Sequence, residues 1–228
     1  MSKILIVPDV HGRSFWHKAE ELINEVDKVV FLGDYLDPYS YEGITFDTAL
    51  DEFNKILEFF DKYSDKVIML VGNHDMHYIK TDFMDCSRMN RLQRQDIHEL
   101  YMKHLNKFRL IYKCEDKWLF SHAGVYSDWL DYCYFELSDL EDFQKFLKDD
   151  NYPALEALSF YRGGWQRTGS CVWADIRESA SYELLPGFKH IVGHTQLTEE
   201  PYETDSVACL DVRRCFMLDT ETGIISNA

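Results

Sequence analysis

Five short motifs follow one another along the chain, and each carries side chains that bind hard or borderline metal ions. They are Asp9-Val10-His11, Gly33-Asp34-Tyr35-Leu36-Asp37, Gly72-Asn73-His74-Asp75, Ser121-His122-Ala123 and Gly193-His194-Thr195. Carboxylate, imidazole and one amide, each after an apolar run, form the donor set of a two-metal hydrolytic site. Asp9 and His11 are one residue apart in a turn where Gly12 permits close backbone approach. An isolated Asp-x-His is more often a solvated turn, so its weight comes from the other motifs. Asp34 can bridge two cations through its two oxygens, which sets them roughly 3.5–4 Å apart. Asn73 offers a neutral oxygen. His122 and His194 sit between small residues that leave room for an ion. The remaining histidines, 17, 77, 98, 104 and 190, lack that context and read as surface or core.

His74, beside Asn73, is expected to face the substrate. Pairing with Asp37 would hold its tautomer, raise its pKa and make it a general acid for a leaving alkoxide. Asp37 also precedes Pro38, so a turn-forming role fits the same position.

Positioning these groups requires a layered frame. Lys3–Val7, Lys28–Leu32 and Lys66–Val71 are continuous apolar, β-branched runs typical of strands buried on both faces. Between them, Phe15–Val26 and Thr45–Tyr63 have helical spacing. A βαβαβ order predicts parallel pairing, with ligands beyond the carboxyl ends of the strands, where Asp9, Asp34 and Asn73 stand. Further on, Asp96–Phe108 and Leu137–Lys148 read as helices. Arg109–Cys114 with Lys117–Phe120 reads as a hairpin, and 190–193, 207–210 and 215–219 as short strands. Residues 126–188 give few strand signals and are read as an insertion near the site in a single domain spanning 1–228.

Bulk properties limit the partners. The 228 residues are 46% apolar, enough for a full core, and carry a net charge of −16. That charge repels long nucleic acid, and no basic stripe is present. No apolar run spans a membrane, no leader pattern is visible, and the six cysteines form no Cys-x-x-Cys. The expectation is a cytoplasmic protein with reduced thiols, its oligomeric state open.

Taken together, the motifs resemble the calcineurin-like metallophosphoesterase superfamily, whose pattern is Asp-x-His, Gly-Asp-x-x-Asp, Gly-Asn-His-Asp/Glu, a later His, and Gly-His. The resemblance covers residues 3–124 and 189–219. Ser-His-Ala-Gly-Val at 121–125, Val-Trp-Ala-Asp at 172–175 and the single-histidine Gly-His-Thr look most like the phosphoprotein phosphatase branch. That branch includes bacterial symmetrical dinucleoside-tetraphosphatases and small bacterial or phage protein phosphatases. The resemblance implies a four-layer α/β/β/α sandwich with a dinuclear site at the C-terminal strand edges. It implies one metal on Asp9, His11 and Asp34, and a second on Asp34, Asn73, His122 and His194. His74 with Asp37 would be the acid pair.

Three departures are informative. Gln196 stands where many members have a further histidine, and Asp75 where the branch usually has Glu. Pro38 replaces the arginine that usually grips phosphate. Arg13, Arg162 and Arg167 are the candidates to supply that guanidinium. The expected activity is phosphoester hydrolysis by a metal-bridging hydroxide attacking in line, with two Mn, Fe or Zn ions. The substrate would be a phosphorylated small molecule, nucleotide or phosphoprotein. The alternatives are a nucleotide phosphodiesterase or dinucleoside polyphosphate hydrolase, and a non-catalytic binding module that kept the fold.

Overall fold

The computed structural model describes residues 2–228. In chain order the strands are β1 (Lys3–Val7), β2 (Lys28–Phe31), β3 (Val67–Leu70), β4 (Phe108–Arg109), β5 (Ile111–Cys114), β6 (Trp118–Ser121), β7 (Lys189–Val192), β8 (Tyr202–Glu203), β9 (Val207–Cys209), β10 (Phe216–Asp219) and β11 (Ile225–Asn227). They form two sheets, ordered β11-β10-β1-β2-β3-β4 and β5-β6-β7-β9-β8. The α-helices are α1 (Lys18–Leu22), α2 (Phe46–Lys62), α3 (Asn73–Ile79), α4 (Arg94–Lys103), α5 (Ser127–Cys133) and α6 (Phe143–Lys148).

Strands β1 to β4 are parallel to one another, as are β6, β7 and β9. Their apolar runs are continuous because both faces are covered, yet alternation still divides them. Ile4, Ile6, Val30, Leu32, Ile68 and Leu70 join Trp118, Phe120 and Ile191 in the core between the sheets. Leu5, Val7, Val29, Phe31 and Met69 belong to the cluster that includes Trp16, Phe53 and Ile56 from the helical layer. This is an α/β/β/α arrangement.

Several elements differ from the sequence expectation. Phe15–Val26 begins as a 3-10 turn, Ser14–His17, and only Lys18–Leu22 is α-helical. The expected Asp96–Phe108 helix is shifted: α4 starts at Arg94 and a 3-10 turn, Leu105–Lys107, delivers Phe108 to β4. The Arg109–Cys114 run is divided between sheets, with the chain crossing from β4 to β5 at the buried Leu110. Leu137–Lys148 breaks in two because the Asp142 side chain caps a new helix by accepting from Lys145 N–H. Between β6 and β7 short helices dominate, and no strand of either sheet occurs among the described residues. Among those residues no helix is long and apolar enough to cross a membrane.

One core residue sets an acid limit on stability. His190 on β7 is fully buried, and its Nε2 donates to the Leu185 carbonyl at 3.0 Å. Burial lowers it to about 4. The unfolded chain therefore takes up the proton first, near pH 6.5. The contribution is complete above that pH and is lost as pH falls toward 4. Between pH 7.5 and 5 the loss should be on the order of 2 kcal/mol. His190→Gln keeps a donor without the titration, so its urea stability should fall less than the wild type's over that interval. Equal declines would exclude this assignment.

Candidate metal centre and catalytic site

The parallel strands of both sheets end at one edge, and the candidate side chains come from the loops beyond them. Asp9, Asp34 and Asn73 follow β1, β2 and β3, while His122 and His194 follow β6 and β7. The loops are tied to one another. His11 N–H donates to the Asp34 carbonyl at 2.7 Å, Gly193 N–H to the His122 carbonyl at 2.8 Å, and His194 N–H to Asp9 Oδ1 at 2.9 Å. Two glycines are needed for the approach. A Cβ on Gly72 would lie 2.1 Å from Asp34 Oδ1, and one on Gly193 would lie 2.1 Å from Asp9 Oδ1. His11, Asp34, Asp37 and His194 all have positive φ, between 45° and 62°. Each such residue costs roughly 1 kcal/mol or more, and such strain gathers at functional sites.

The ligand atoms of Asp9, His11 and Asp34 lie within 4.8 Å of one another, as do those of Asp34, His122 and His194. Tautomers show that a cation fits between them. His11 Nδ1 lies 2.7 Å from the Leu36 carbonyl and His122 Nδ1 lies 2.8 Å from the Leu32 carbonyl. Each proton therefore sits on Nδ1, and each Nε2 turns a bare lone pair into the site. Those lone pairs face Asp34 Oδ2 at 3.4 and 3.5 Å. His122 Nε2 is also 3.0 Å from Asn73 Oδ1 and 3.1 Å from His194 Nδ1. Acceptors crowded on acceptors repel unless a positive charge lies between them. The carboxylates report the same stress. Burial, together with Asp211 for Asp9 and Asp75 for Asp34, pushes both carboxyls well above the usual range. Burial holds His11 and His194 well below theirs, which keeps them neutral, as ligands must be.

The sequence profile of calcineurin-like phosphoesterases matches residues 2–197. The chain belongs to that family. Among solved structures, a cold-active protein tyrosine phosphatase is similar over 100% of this chain and 78% of its own, at TM-score 0.61 and 18% identity. A protein serine/threonine phosphatase from Saccharomyces cerevisiae is similar over 99% of this chain and 79% of its own, at TM-score 0.59 and 13% identity. At such identities the likeness is one of fold. No curated protein sequence matches the chain.

Beside the metal groups this phosphoesterase places His74 and Asp37 together, with Nδ1 and Oδ2 2.8 Å apart. Burial alone would raise Asp37, but His74 and His77 outweigh it and hold the carboxyl below its usual range. For His74 the balance departs from the sequence expectation of a raised pKa. Burial lowers the imidazole to about 4, and the opposing pull of Asp37 does not overcome it. Asp75 serves the frame. Its carboxylate accepts from Gly72, Asp34 and Tyr35 N–H groups and from the Tyr101 hydroxyl, joining the β2 and β3 loops.

The arginines separate clearly. Arg13 is buried, bound to Glu42 at 2.7 Å and to the Asp9 carbonyl at 3.1 Å, so its guanidinium is already committed. Arg167 is 79% exposed and lies outside the cavity at the metal groups; its nearest carboxylate, Asp128, is 3.8 Å away. Arg162 lines that cavity, with Nε 3.0 Å from Asp175 Oδ2 and Nη2 donating to Thr195 Oγ1 at 2.9 Å. The Val-Trp-Ala-Asp segment thus anchors Arg162 through Asp175, while Trp173 packs edge-on against His194.

Sequence reasoning missed Arg88, from the loop between α3 and α4. It lines the cavity, and its Nε donates to the Asp37 carbonyl at 2.9 Å. The guanidinium carbon stands 3.7 Å from the Tyr39 ring centroid, and Nη2 is 3.3 Å from His74 Nε2. Its φ of 66° is a further left-handed residue at the site. A third cluster, His74, His77 and Cys86, also falls within 4.8 Å. It is a poor metal site, because burial pushes the Cys86 thiol up and both His77 nitrogens face protein partners.

Proposed function

We propose that this phosphoesterase hydrolyses phosphate monoesters by in-line attack of water, with His74 as general acid. The observation that carries the reading is that Asp34 belongs to both ligand groups, as a bridging carboxylate must. Asp9, His11 and Asp34 would hold one ion, and Asp34, Asn73, His122 and His194 the other. When bound, two divalent Mn, Fe or Zn ions supply Lewis acidity and an acidified water.

The chain's own groups do the rest. Arg88 is fixed at Nε by the Asp37 carbonyl and on its face by Tyr39, and its Nη end, held only by the Ser87 hydroxyl and His74 Nε2, would turn to phosphate oxygens. Arg162 lines the same cavity, with Nε beside Asp175 and Nη2 on Thr195, and would supply a second guanidinium where Pro38 supplies none. An ionised phosphate oxygen draws Arg88 Nη2 away from His74 Nε2. The nearby negative charge also favours a proton on that nitrogen. His74 then gives the proton to the departing oxygen, while Nδ1–H stays on Asp37. The cavity is small, about 150 Å³, and two arginines line it. Two guanidinium groups suit the dianion of a monoester better than the single charge of a diester. All six cysteines are free, in keeping with a reducing compartment such as the cytoplasm.

Metal-stripped protein reconstituted with Mn²⁺ tests the reading on nitrophenyl phosphate, bis-nitrophenyl phosphate and a dinucleoside tetraphosphate. Metal-dependent turnover with the monoester fastest is expected. A faster diester or tetraphosphate would overturn the substrate class, and no metal-dependent turnover would overturn the hydrolytic role. Arg88→Ala should lower kcat/KM for the monoester by about 10- to 100-fold, the loss of a charge-assisted hydrogen bond. Arg167→Ala should leave it unchanged.

A further inference from the structure

We infer that His77 is a positioning residue for the acid pair, holding the Asp37 carboxylate where His74 needs it. The inference rests on the general-acid reading of His74 and adds a residue to it.

Helix α3 presents His74, His77 and Tyr78 at i, i+3 and i+4, the spacing that puts three side chains on one face. All three reach the same carboxylate, which comes from the loop after β2. The Tyr78 hydroxyl donates to Asp37 Oδ1 at 2.6 Å. His74 Nδ1 meets Oδ2 at 2.8 Å, and His77 Nε2 faces that oxygen at 3.0 Å. The His77 tautomer is set from its other side, because Nδ1 accepts the Cys86 backbone N–H at 3.2 Å. A neutral imidazole that accepts at Nδ1 carries its proton at Nε2. That nitrogen is buried and has no hydrogen-bond partner among the described residues, and the carboxylate oxygen it faces is Asp37 Oδ2 at 3.0 Å. His74 makes the hydrogen bond to Oδ2, and the His77 N–H adds a close electrostatic contact to the same oxygen.

This arrangement matters because Asp37 stands in a strained turn, at φ 60° and ahead of Pro38. Its side chain could otherwise rotate Oδ2 away from His74. With Tyr78 on one oxygen and two imidazoles on the other, rotation breaks three contacts at once. The His77 ring is fully buried and edge-on to both His74 and Tyr78, at centroid distances of 5.8 and 4.3 Å. It therefore has little room to retract.

The test compares His77→Leu, His77→Asn and His77→Gln on phenyl phosphate and dinitrophenyl phosphate. The Gln amide nitrogen reaches the place of Nε2, whereas the Asn amide stops near Nδ1. Leu and Asn should lower kcat on phenyl phosphate by about 10- to 100-fold, the usual cost of losing an orienting partner. On dinitrophenyl phosphate, whose leaving group needs no proton, the loss should be under about threefold. Gln should restore most of the phenyl phosphate rate. In a His74→Ala background, His77→Leu should add nothing, because its effect runs through His74. Equal losses on both substrates, no rescue by Gln, or an undiminished effect without His74 would each overturn the inference. Failure of the underlying reading is distinguishable, since His74→Ala itself would then lose no more on phenyl phosphate than on dinitrophenyl phosphate.

Discussion

Asp34→Asn is expected to remove turnover and two-metal binding together while leaving the fold intact. Asp34 contributes to both ligand groups, and an amide cannot bridge two cations with two anionic oxygens. A fall in kcat of at least about a thousandfold is expected, since both ions lose a shared ligand. Stability should respond in the opposite direction. Burial and Asp75 push the Asp34 carboxyl well above its usual range. A raised carboxyl favours the protonated folded state, so its ionisation weakens the metal-free fold as pH rises. Asparagine removes that charge and tolerates the φ of 54° at this position. The metal-free variant should melt at or above the wild-type temperature, and the rise that Mn²⁺ gives the wild type should be lost. Metal content by mass spectrometry and melting with and without Mn²⁺ decide it. A variant that still binds two ions and turns over would remove Asp34 from the bridging position.

His74→Ala is expected to keep both ions and still slow the reaction. Its imidazole is not in either metal group, and it meets Asp37 at 2.8 Å and Arg88 at 3.3 Å. Loss of a general acid costs about 10²- to 10⁴-fold when the leaving oxygen is a poor one. Phenyl phosphate should show that range, and dinitrophenyl phosphate much less. Asp37 keeps its contacts with His77 and Tyr78, so the loop should hold its shape. Equal losses on the two substrates, with metals bound, would exclude proton transfer by His74.

Donor types at strand ends were legible in the sequence because two local rules coincide there. Strands buried on both faces are long apolar runs, and the polar residues that follow them must leave the sheet at one edge. Asp9, Asp34 and Asn73 stand at those ends, and His122 and His194 follow the matching strands of the second sheet. Helix α3 was not legible. Its first residues read as a loop, and its seven residues are too few to show a period. His77 lacks the small neighbours that mark His122 and His194 and so reads as surface or core, although its spacing from His74 places both on one helical face.

The sequence by itself determined the motif order, the apolar runs and hence the layered fold that the family shares. Only the tertiary structure decided which charged groups serve the site. Arg13, Arg88, Arg162 and Arg167 are alike in composition, yet one is held by Glu42, one is exposed, and two reach the cavity. It also decided that burial outweighs Asp37 in setting His74. The reason is physical. Strand and helix periods are local properties of the chain. A guanidinium's position depends on where an irregular loop travels, and a pKa on how much water the assembled walls exclude.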